Sequence, residues 1–500
     1  MDWRIKPVDR ILEGSARSGL SRTLGPWQLM FMGVGMMIGT GIFVLVAYAA
    51  QKAGPGMLVS FVIAGFVCAV TALCYAELAA MVPVAGSAYT YSYAVFGEII
   101  AWLTGWAAIG SYAIAASAVA VGWSHYFTGF VRNFFDVDLP VRLTAGMFDG
   151  GLVNIPACVI VLIITGLLYV GTRESARVNA ALVAVKLIAL SAFILLTIPV
   201  MKSGNFVPFA PTGMAGIGGA AASIFFAYVG FDSLATAAEE ARNPQRDLPI
   251  GLIGSLLLCT IFYLMVAAGA IGAVGAQPII DPATGHAYPT GSLALAAACN
   301  ASHPDALACS GEALAHVLRM IHWPKVAGLL GVAAFLALPS VILICIFALT
   351  RVAFVMSRDG LLPGALSRVH PRFRTPHVMT LITGLLAAVA ALLFPVGELA
   401  DVANAAALFM FAMAAAGVIW LRKAQPARRR PFRAPMLILT GPLAVAGCVY
   451  LFISLSAFTQ IMFLVWCVIG LLVYRIYGYS HSEMARPGGK PGDAERKAGA

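Results

Sequence analysis

Apolar windows of about 20 residues, the length that crosses a hydrocarbon core, recur along nearly the whole chain. They fall near 28–50, 57–82, 98–128, 152–171, 178–200, 216–238, 250–274, 326–355, 377–396, 399–421, 435–455 and 459–477. Inside a bilayer each backbone polar group must find its partner within the spanning structure, and windows of this length do so as α-helices. The chain is 60% hydrophobic and 11% charged, whereas a soluble domain carries about a quarter charged residues. The expected fold is therefore an all-α polytopic membrane protein with twelve transmembrane helices.

Lys and Arg set the orientation, because cytoplasmic loops retain positive charge. With the N-terminus inside, the inner segments hold Arg4, Lys6, Arg10, Arg17, Arg22, Arg173, Arg177, Arg242, Arg246, Arg358 and the run "RKAQPARRRPFR", whereas the outer ones hold only Lys52, Arg132, Arg142, Lys202, Arg319 and Lys325. Both termini are expected in the cytoplasm. The net charge of +10 is accounted for by this bias and by anionic inner-leaflet lipid, so no nucleic-acid partner is expected. The N-terminal segment shows no small-residue cleavage pattern, and no removable targeting peptide is evident. Seven of nine cysteines lie within the windows, where Cys packs as a small hydrophobe. Cys299 and Cys309 share the outer loop 275–325, where an oxidising compartment would permit a disulfide. The Asn-Ala-Ser sequon at Asn300 is read as unmodified, in an Ala- and Gly-rich chain of bacterial appearance.

The eight histidines show no paired ligand spacing, and neither a phosphate-binding loop nor a nucleophile elbow occurs. Metal, cofactor and enzyme readings are set aside on these grounds. Without an ATP motif, a transporter of this kind draws its energy from a gradient.

Two windows look interrupted. "GVGMMIGTGIFVLVAYAA" carries Gly33, Gly35, Gly39 and Gly41 near mid-span, and "SIFFAYVGFDSLATAAEE", the sixth window, carries Gly230 and Asp232. Gly costs about 1 kcal/mol relative to Ala inside a helix. Interrupted helices at equivalent places in two five-helix halves mark a mid-membrane binding site, although no residue-level self-similarity between the halves is visible. A break near Gly39 to Gly41 frees N–H groups that can hold a carboxylate, and the carbonyls left behind can hold an ammonium. The competing reading is close helix packing, since Gly35 and Gly39 form GxxxG.

Lys186 lies nine residues beyond Arg177, roughly 13 Å into its helix, too deep to snorkel easily. An intramembrane lysine is by default functional, with a permanent bond to free carbonyls as the structural alternative. Asp232 either caps the outer half of the sixth helix or takes a gating or ion-linked role. Glu77, Glu239, Glu240 and Arg351 fall near cytoplasmic helix ends, where they could pair across an inner gate as exposed ion pairs, usually worth under about 1 kcal/mol, and are not expected to bind substrate.

"GVGMMIGTGIFV", "FFAYVGFDSLATAAEEARNPQRDLPIGLIGSL" and "TRVAFVMSRDGLLP" resemble the first, sixth and eighth helix motifs of amino acid permeases in the amino acid-polyamine-organocation superfamily. The similarity runs from about Leu24 to Tyr477 and is strongest to the cationic amino acid transporter branch, bacterial members included. It implies a 5+5 inverted repeat with broken helices 1 and 6, plus two additional helices, working by alternating access. The corresponding segments are 1–26, 27–200, 201–422, 423–477 and a tail at 478–500. By motif position, Gly39, Thr40 and Gly41 would meet the substrate carboxylate, and the carbonyls of Met37, Phe226, Ala227 and Val229 the amino group. Ser111, Phe231 and Cys345 are the side-chain pocket candidates. Lys186 matches the fifth-helix lysine of proton-coupled members.

Where bacterial members of the branch carry Glu before the third-helix Tyr, this chain has Ser111 before Tyr112, and where animal cationic carriers place Ser it has Cys345. Lacking that acid, the chain is expected to favour neutral L-amino acids, with cationic ones as the alternative. The leading function is proton-symport import across the bacterial inner membrane. An amino acid or amine exchanger on the same fold, a nontransporting amino acid sensor and a channel are the competitors. The short tails count against the sensor, and a closed site between paired breaks counts against the channel.

Overall fold

A computed structural model describes residues 4–8, 11, 24–84, 86–171, 176–366, 368, 370–373 and 375–485. Several positions used for the orientation, among them Arg10, Arg17, Arg22 and Arg173, and part of the tail at 478–500 lie outside the described residues, as do the side chains of Arg177, Glu239 and Glu240. Among the described residues the structure is helical, with only isolated two-residue β-bridges.

The helices used below are α1 (Pro26–Met37), α2 (Thr40–Phe43), α3 (Leu45–Ala53), α4 (Met57–Met81), α5 (Ser87–Val95), α6 (Glu98–Phe135), α7 (Ile155–Val170), α8 (Ala176–Thr197), α9 (Gly213–Ile224), α10 (Pro244–Val274), α11 (Pro324–Arg358), α12 (His377–Leu393), α13 (Val396–Ala424), α14 (Leu437–Ile453) and α15 (Ala457–Val473). Among the described residues, eight helical runs are long and apolar enough to cross a membrane. The windows at 152–171, 377–396 and 435–455 fold as the shorter apolar helices α7, α12 and α14, of 16, 17 and 17 residues. The opening window is not one helix but the three pieces α1, α2 and α3.

The largest wholly buried side chains are Trp102, a set of tyrosines including Tyr75, Tyr112, Tyr126, Tyr228 and Tyr263, and Lys186. Buried tyrosines need partners for their hydroxyls, and several here tie distant segments. Tyr126 donates to the Phe43 carbonyl at 2.9 Å and Tyr228 to that of Phe61 at 3.1 Å. On the face that carries the loop 275–325, Asp401 of α13 accepts from Lys52 at 3.0 Å and from Ser223 at 2.5 Å, joining α3, α9 and α13. The loop itself carries a Cys299–Cys309 disulfide. It is anchored by the Gln51 amide, which donates to the Ile279 and Tyr288 carbonyls.

Charged groups also gather where the two ends of the chain meet the helices. Lys6 pairs there with Asp359 at 2.9 Å and Glu483 at 3.1 Å, and Glu98 accepts from Arg4, Tyr93, Tyr474 and Ser482. The segments flanking the helical body at both ends of the chain are thus bonded to it. Glu77 corrects the expectation of a weak exposed pair. It is 1% exposed, takes both Nε and Nη2 of Arg422, lies 3.4 Å from Arg430 Nε, and accepts the Ala434 N–H at 2.8 Å. It therefore fixes the loop between α13 and α14. Removing one partner of a buried charge cluster strands the others. Glu77→Ala is accordingly expected to destabilise the fold by about 3 kcal/mol, read as a lower melting temperature. A melting temperature equal to the wild type would show that the loop is held some other way. Arg351 bonds the Thr236 carbonyl at 2.9 Å and lies over the Phe347 ring, so it packs the region below the second break.

Candidate functional site

The two interruptions meet. In the first, α1 stops at Met37, Ile38 and Gly39 leave the helical region, and Gly39 adopts extended backbone (φ −140°, ψ −151°) before α2 begins at Thr40. In the second, α9 gives way to a 3₁₀ turn at Phe225–Ala227, then to Gly230 at φ 122°, and then to the 3₁₀ segment Phe231–Glu240. A positive φ of that size favours glycine. Close approach accounts for Gly41: a methyl added there would lie 2.6 Å from Ala227 Cβ and against the Ala227 backbone.

The four glycines of the first window have different tasks. A methyl on Gly33 would meet Ser255 of α10, and one on Gly35 would meet Val183 and Asn179 of α8. These two permit helix packing. A methyl on Gly39 would make only ordinary contact, 3.5 Å from Val341, so Gly39 is the position that opens the break rather than one required for contact.

Between the interruptions lies a small cavity of about 20 Å³. Its walls bring together Met37, Gly39, Thr40, Gly41, Phe226, Val229 and Cys345 of the expected set. Added to them are Met36, Tyr112, Ala115, Val119 and Val341. Among the described residues, no charged side chain lines it. The start of a helix leaves N–H groups without intrahelical acceptors, and here that start is Thr40 and Gly41, on the cavity wall. Thr40 Oγ1 itself points to the Val119 carbonyl, at 3.4 Å.

Four placements differ from expectation. Ser111 does not line the cavity; its hydroxyl donates to the Ala403 carbonyl at 3.0 Å, holding α6 to α13. Phe231 is fully buried against Tyr75 and Phe411. Met37 and Ala227 present carbonyls that are already engaged, both by the Tyr263 hydroxyl of α10, at 2.7 and 2.9 Å. Ala227 is also absent from the cavity wall. A phenol carries one proton, so Tyr263 fully satisfies only one of the two carbonyls at a time. Phe226 and Val229, on the wall, are the expected amino-group carbonyls with no such partner among the described residues.

Lys186 also stands apart from the wall. Fully buried, it donates to the Gly35 carbonyl at 2.7 Å and approaches Ser340 Oγ at 3.5 Å. Gly35 is in the last turn of α1, where carbonyls lose their intrahelical donors. The ammonium of α8 therefore caps α1 and touches α11, a cation at the negative end of the helix dipole.

Asp232 does not cap the outer half of the sixth window. It opens the segment on the other side of the break, accepting the Gly230 N–H at 3.2 Å and the Tyr112 hydroxyl at 2.5 Å. Since Tyr112 lines the cavity, this bond connects the wall to the second interruption. The sequence carried no sign of Tyr263, Ser340 or this Tyr112–Asp232 bond as parts of one site, since Tyr263 reaches Met37 across 226 positions, Ser340 lies 154 from Lys186, and Tyr112 lies 120 from Asp232.

The chain resembles known proteins over nearly its whole length. A family model described as amino acid permease matches residues 24–476. The branched-chain amino acid permease BcaP of Bacillus subtilis is 42% identical over 480 residues, covering 95% of this chain and 97% of that protein. The methylthioribose transporter of the same organism is 37% identical, covering 96% and 98%. The cationic amino acid transporter 4 of Mus musculus is 33% identical, covering 88% of this chain and 65% of its own length. With paired helix breaks around an uncharged cavity and a family match that spans the helical body, this multi-pass membrane protein belongs to the amino acid permease family, a family of transporters and not of enzymes.

Proposed function

We propose that the protein imports neutral L-amino acids by proton symport across the bacterial inner membrane. It has twelve spans arranged as a 5+5 inverted repeat plus two helices, and both termini are cytoplasmic. The observation that carries the substrate class is the cavity wall: Val119, Val341, Phe226, Val229, Met36 and Cys345 surround the space, with no acid to pair a cationic side chain. Burying an unpaired charge is far costlier than burying an apolar group. The relative named a branched-chain amino acid permease supports the same choice. In this reading the N–H groups at Thr40 and Gly41 hold the carboxylate, and the carbonyls of Phe226 and Val229 take most of the ammonium. Tyr263 holds the two breaks in register, and Lys186 carries the coupling proton.

Competition for labelled leucine uptake into proteoliposomes tests the substrate class. Isoleucine, valine and alanine are expected to compete at least about tenfold better than lysine or arginine, because the latter would bury an unpaired charge. Potent competition by arginine with none by isoleucine, valine or alanine would reverse the choice. Competition by methylthioribose alone would instead align the chain with its second relative, since that sugar has neither of the groups the breaks are proposed to hold. Counterflow without net uptake into empty vesicles would select the exchanger.

A further inference from the structure

A second space lies away from the breaks. It is an open groove of about 490 Å³, formed where the first turns of α10 face the loop between α13 and α14. One side is a single helical stripe, Arg246, Ile250, Ile253 and Gly254, whose spacing of three to four residues places the side chains one above another. The stripe rises roughly 12 Å from Arg246 to Gly254. Pro431 and Phe432 form the facing wall. We infer that this groove holds one anionic phospholipid, its phosphate at Arg246 and the upper part of an acyl chain along Ile250, Ile253 and Phe432. The inference rests on the proposed orientation, which puts the groove at the inner leaflet.

The charge favours an anion. Arg246 is exposed and makes no side-chain hydrogen bond or ion pair with another described residue, and the same holds for Arg429 and Arg433 beside the facing wall. Among the described residues, the adjacent Asp247 is already committed: it is buried, and its carboxylate accepts the Asn243 N–H at 3.1 Å. Basic pockets between helices on the cytoplasmic side suit anionic lipid headgroups. Below the arginine the surface becomes apolar and remains open, with Ile250 43% exposed, which suits a chain of methylenes and not a free phosphate. The facing wall is rigid. Arg430 is buried and donates to the carbonyls of Leu421, Gln425, Pro426 and Arg428, while Glu77 holds Arg422 and the Ala434 N–H. Phe432 is therefore presented by a fixed loop. On its far side the stripe abuts α1: a methyl on Gly254 would lie 3.0 Å from Met30 Sδ. Lipid in the groove would thus touch the helix that packs directly on the inner half of the first break.

Purified protein equilibrated in mixed micelles of equal phosphatidylglycerol and phosphatidylcholine, then read by native mass spectrometry, tests this. The wild type is expected to retain phosphatidylglycerol in preference. Arg246→Gln is expected to lower the retained ratio about fivefold, the worth of one arginine at an anionic surface, and Ile253→Trp to fill the groove and lose both lipids. A wild-type melting temperature in phosphatidylcholine micelles shows that a variant is folded; if Arg246→Gln is not, Ile253→Trp carries the test alone. Equal retention of the two lipids by the wild type, an unchanged ratio in folded Arg246→Gln, or undiminished lipid on folded Ile253→Trp overturns the inference. So does displacement of phosphatidylglycerol by millimolar inorganic phosphate, which would leave an anion site without a lipid. Labelling of Arg429→Cys by an impermeant maleimide in intact cells would overturn the orientation, and lipid retention in micelles does not depend on that result.

Discussion

Lys186→Ala is expected to lose the accumulation driven by an imposed pH gradient while retaining substrate binding and exchange. Its ammonium donates to the Gly35 carbonyl of α1 and approaches Ser340 of α11 from α8, so three helices meet on one charge, off the wall of the cavity between the breaks. A hydrogen bond from a charged donor contributes about 1.5–3 kcal/mol and a neutral one about 1. Losing the proton would therefore loosen α1 by roughly 1 kcal/mol, enough to shift a balanced two-state equilibrium about fivefold. The energy behind net uptake is larger. One charge crossing the full potential contributes about 2.3 kcal/mol per 100 mV, which corresponds to roughly fifty-fold accumulation if one proton accompanies each neutral substrate. The alanine variant also leaves the Gly35 carbonyl without its donor, so some loss of stability is expected whatever the mechanism. The informative quantity is the ratio of gradient-driven uptake to counterflow in the same vesicles. A collapse of that ratio is expected. Unchanged proton-driven accumulation would reduce Lys186 to a structural cap on α1, and loss of counterflow together with uptake would place it in substrate binding.

Particular residues show where the sequence was informative and where it was not. Apolar windows gave the helical character and nearly all helix positions, because burial in lipid leaves a one-dimensional trace. The glycines of the opening window signalled a departure from regular helix. They could not say that Gly33, Gly35 and Gly41 answer to Ser255, Val183 and Ala227 while Gly39 answers to the cavity, since those neighbours are more than 140 positions away. Ser111 fails as a wall residue for a related reason. Motif position fixes the level of a residue along its helix but not the direction of its side chain, and successive residues point about 100° apart. Tyr112 therefore faces the cavity while Ser111 reaches Ala403. Glu77 was read as exposed because it sits near a helix end, and only the loop that folds back over it reveals the burial. Tyr263 left no trace, because a tyrosine in an apolar window is ordinary until the two carbonyls it bridges are known.

The sharpest steric expectation falls on Gly41, and it separates two adjacent glycines. Gly41→Leu should abolish substrate binding without preventing expression. The cause is the contact between the two breaks more than the filling of carboxylate space. Any side chain at this position meets the backbone of Ala227, whose carbonyl is tied to α10 through Tyr263. The strand of chain that would have to move is therefore held from behind. Overpacking a fixed interior costs about 1–3 kcal/mol, and relief here means separating the segment at Thr40 from the one at Phe226, the two sides proposed to hold opposite ends of one zwitterion. Gly41→Ala should already show the effect, as lost stabilisation by leucine in a thermal-shift assay. Gly39→Ala should fold and bind. Its methyl makes only ordinary contact with Val341, and extended backbone at Gly39 is open to alanine. The methyl takes space from the cavity, so affinity for isoleucine should fall more than affinity for alanine. Wild-type leucine affinity in Gly41→Leu would show that the breaks need not touch. Equal damage from Gly39→Ala and Gly41→Ala would show that the cavity tolerates no added carbon on either side, and the distinction between contact and lining would fail with it.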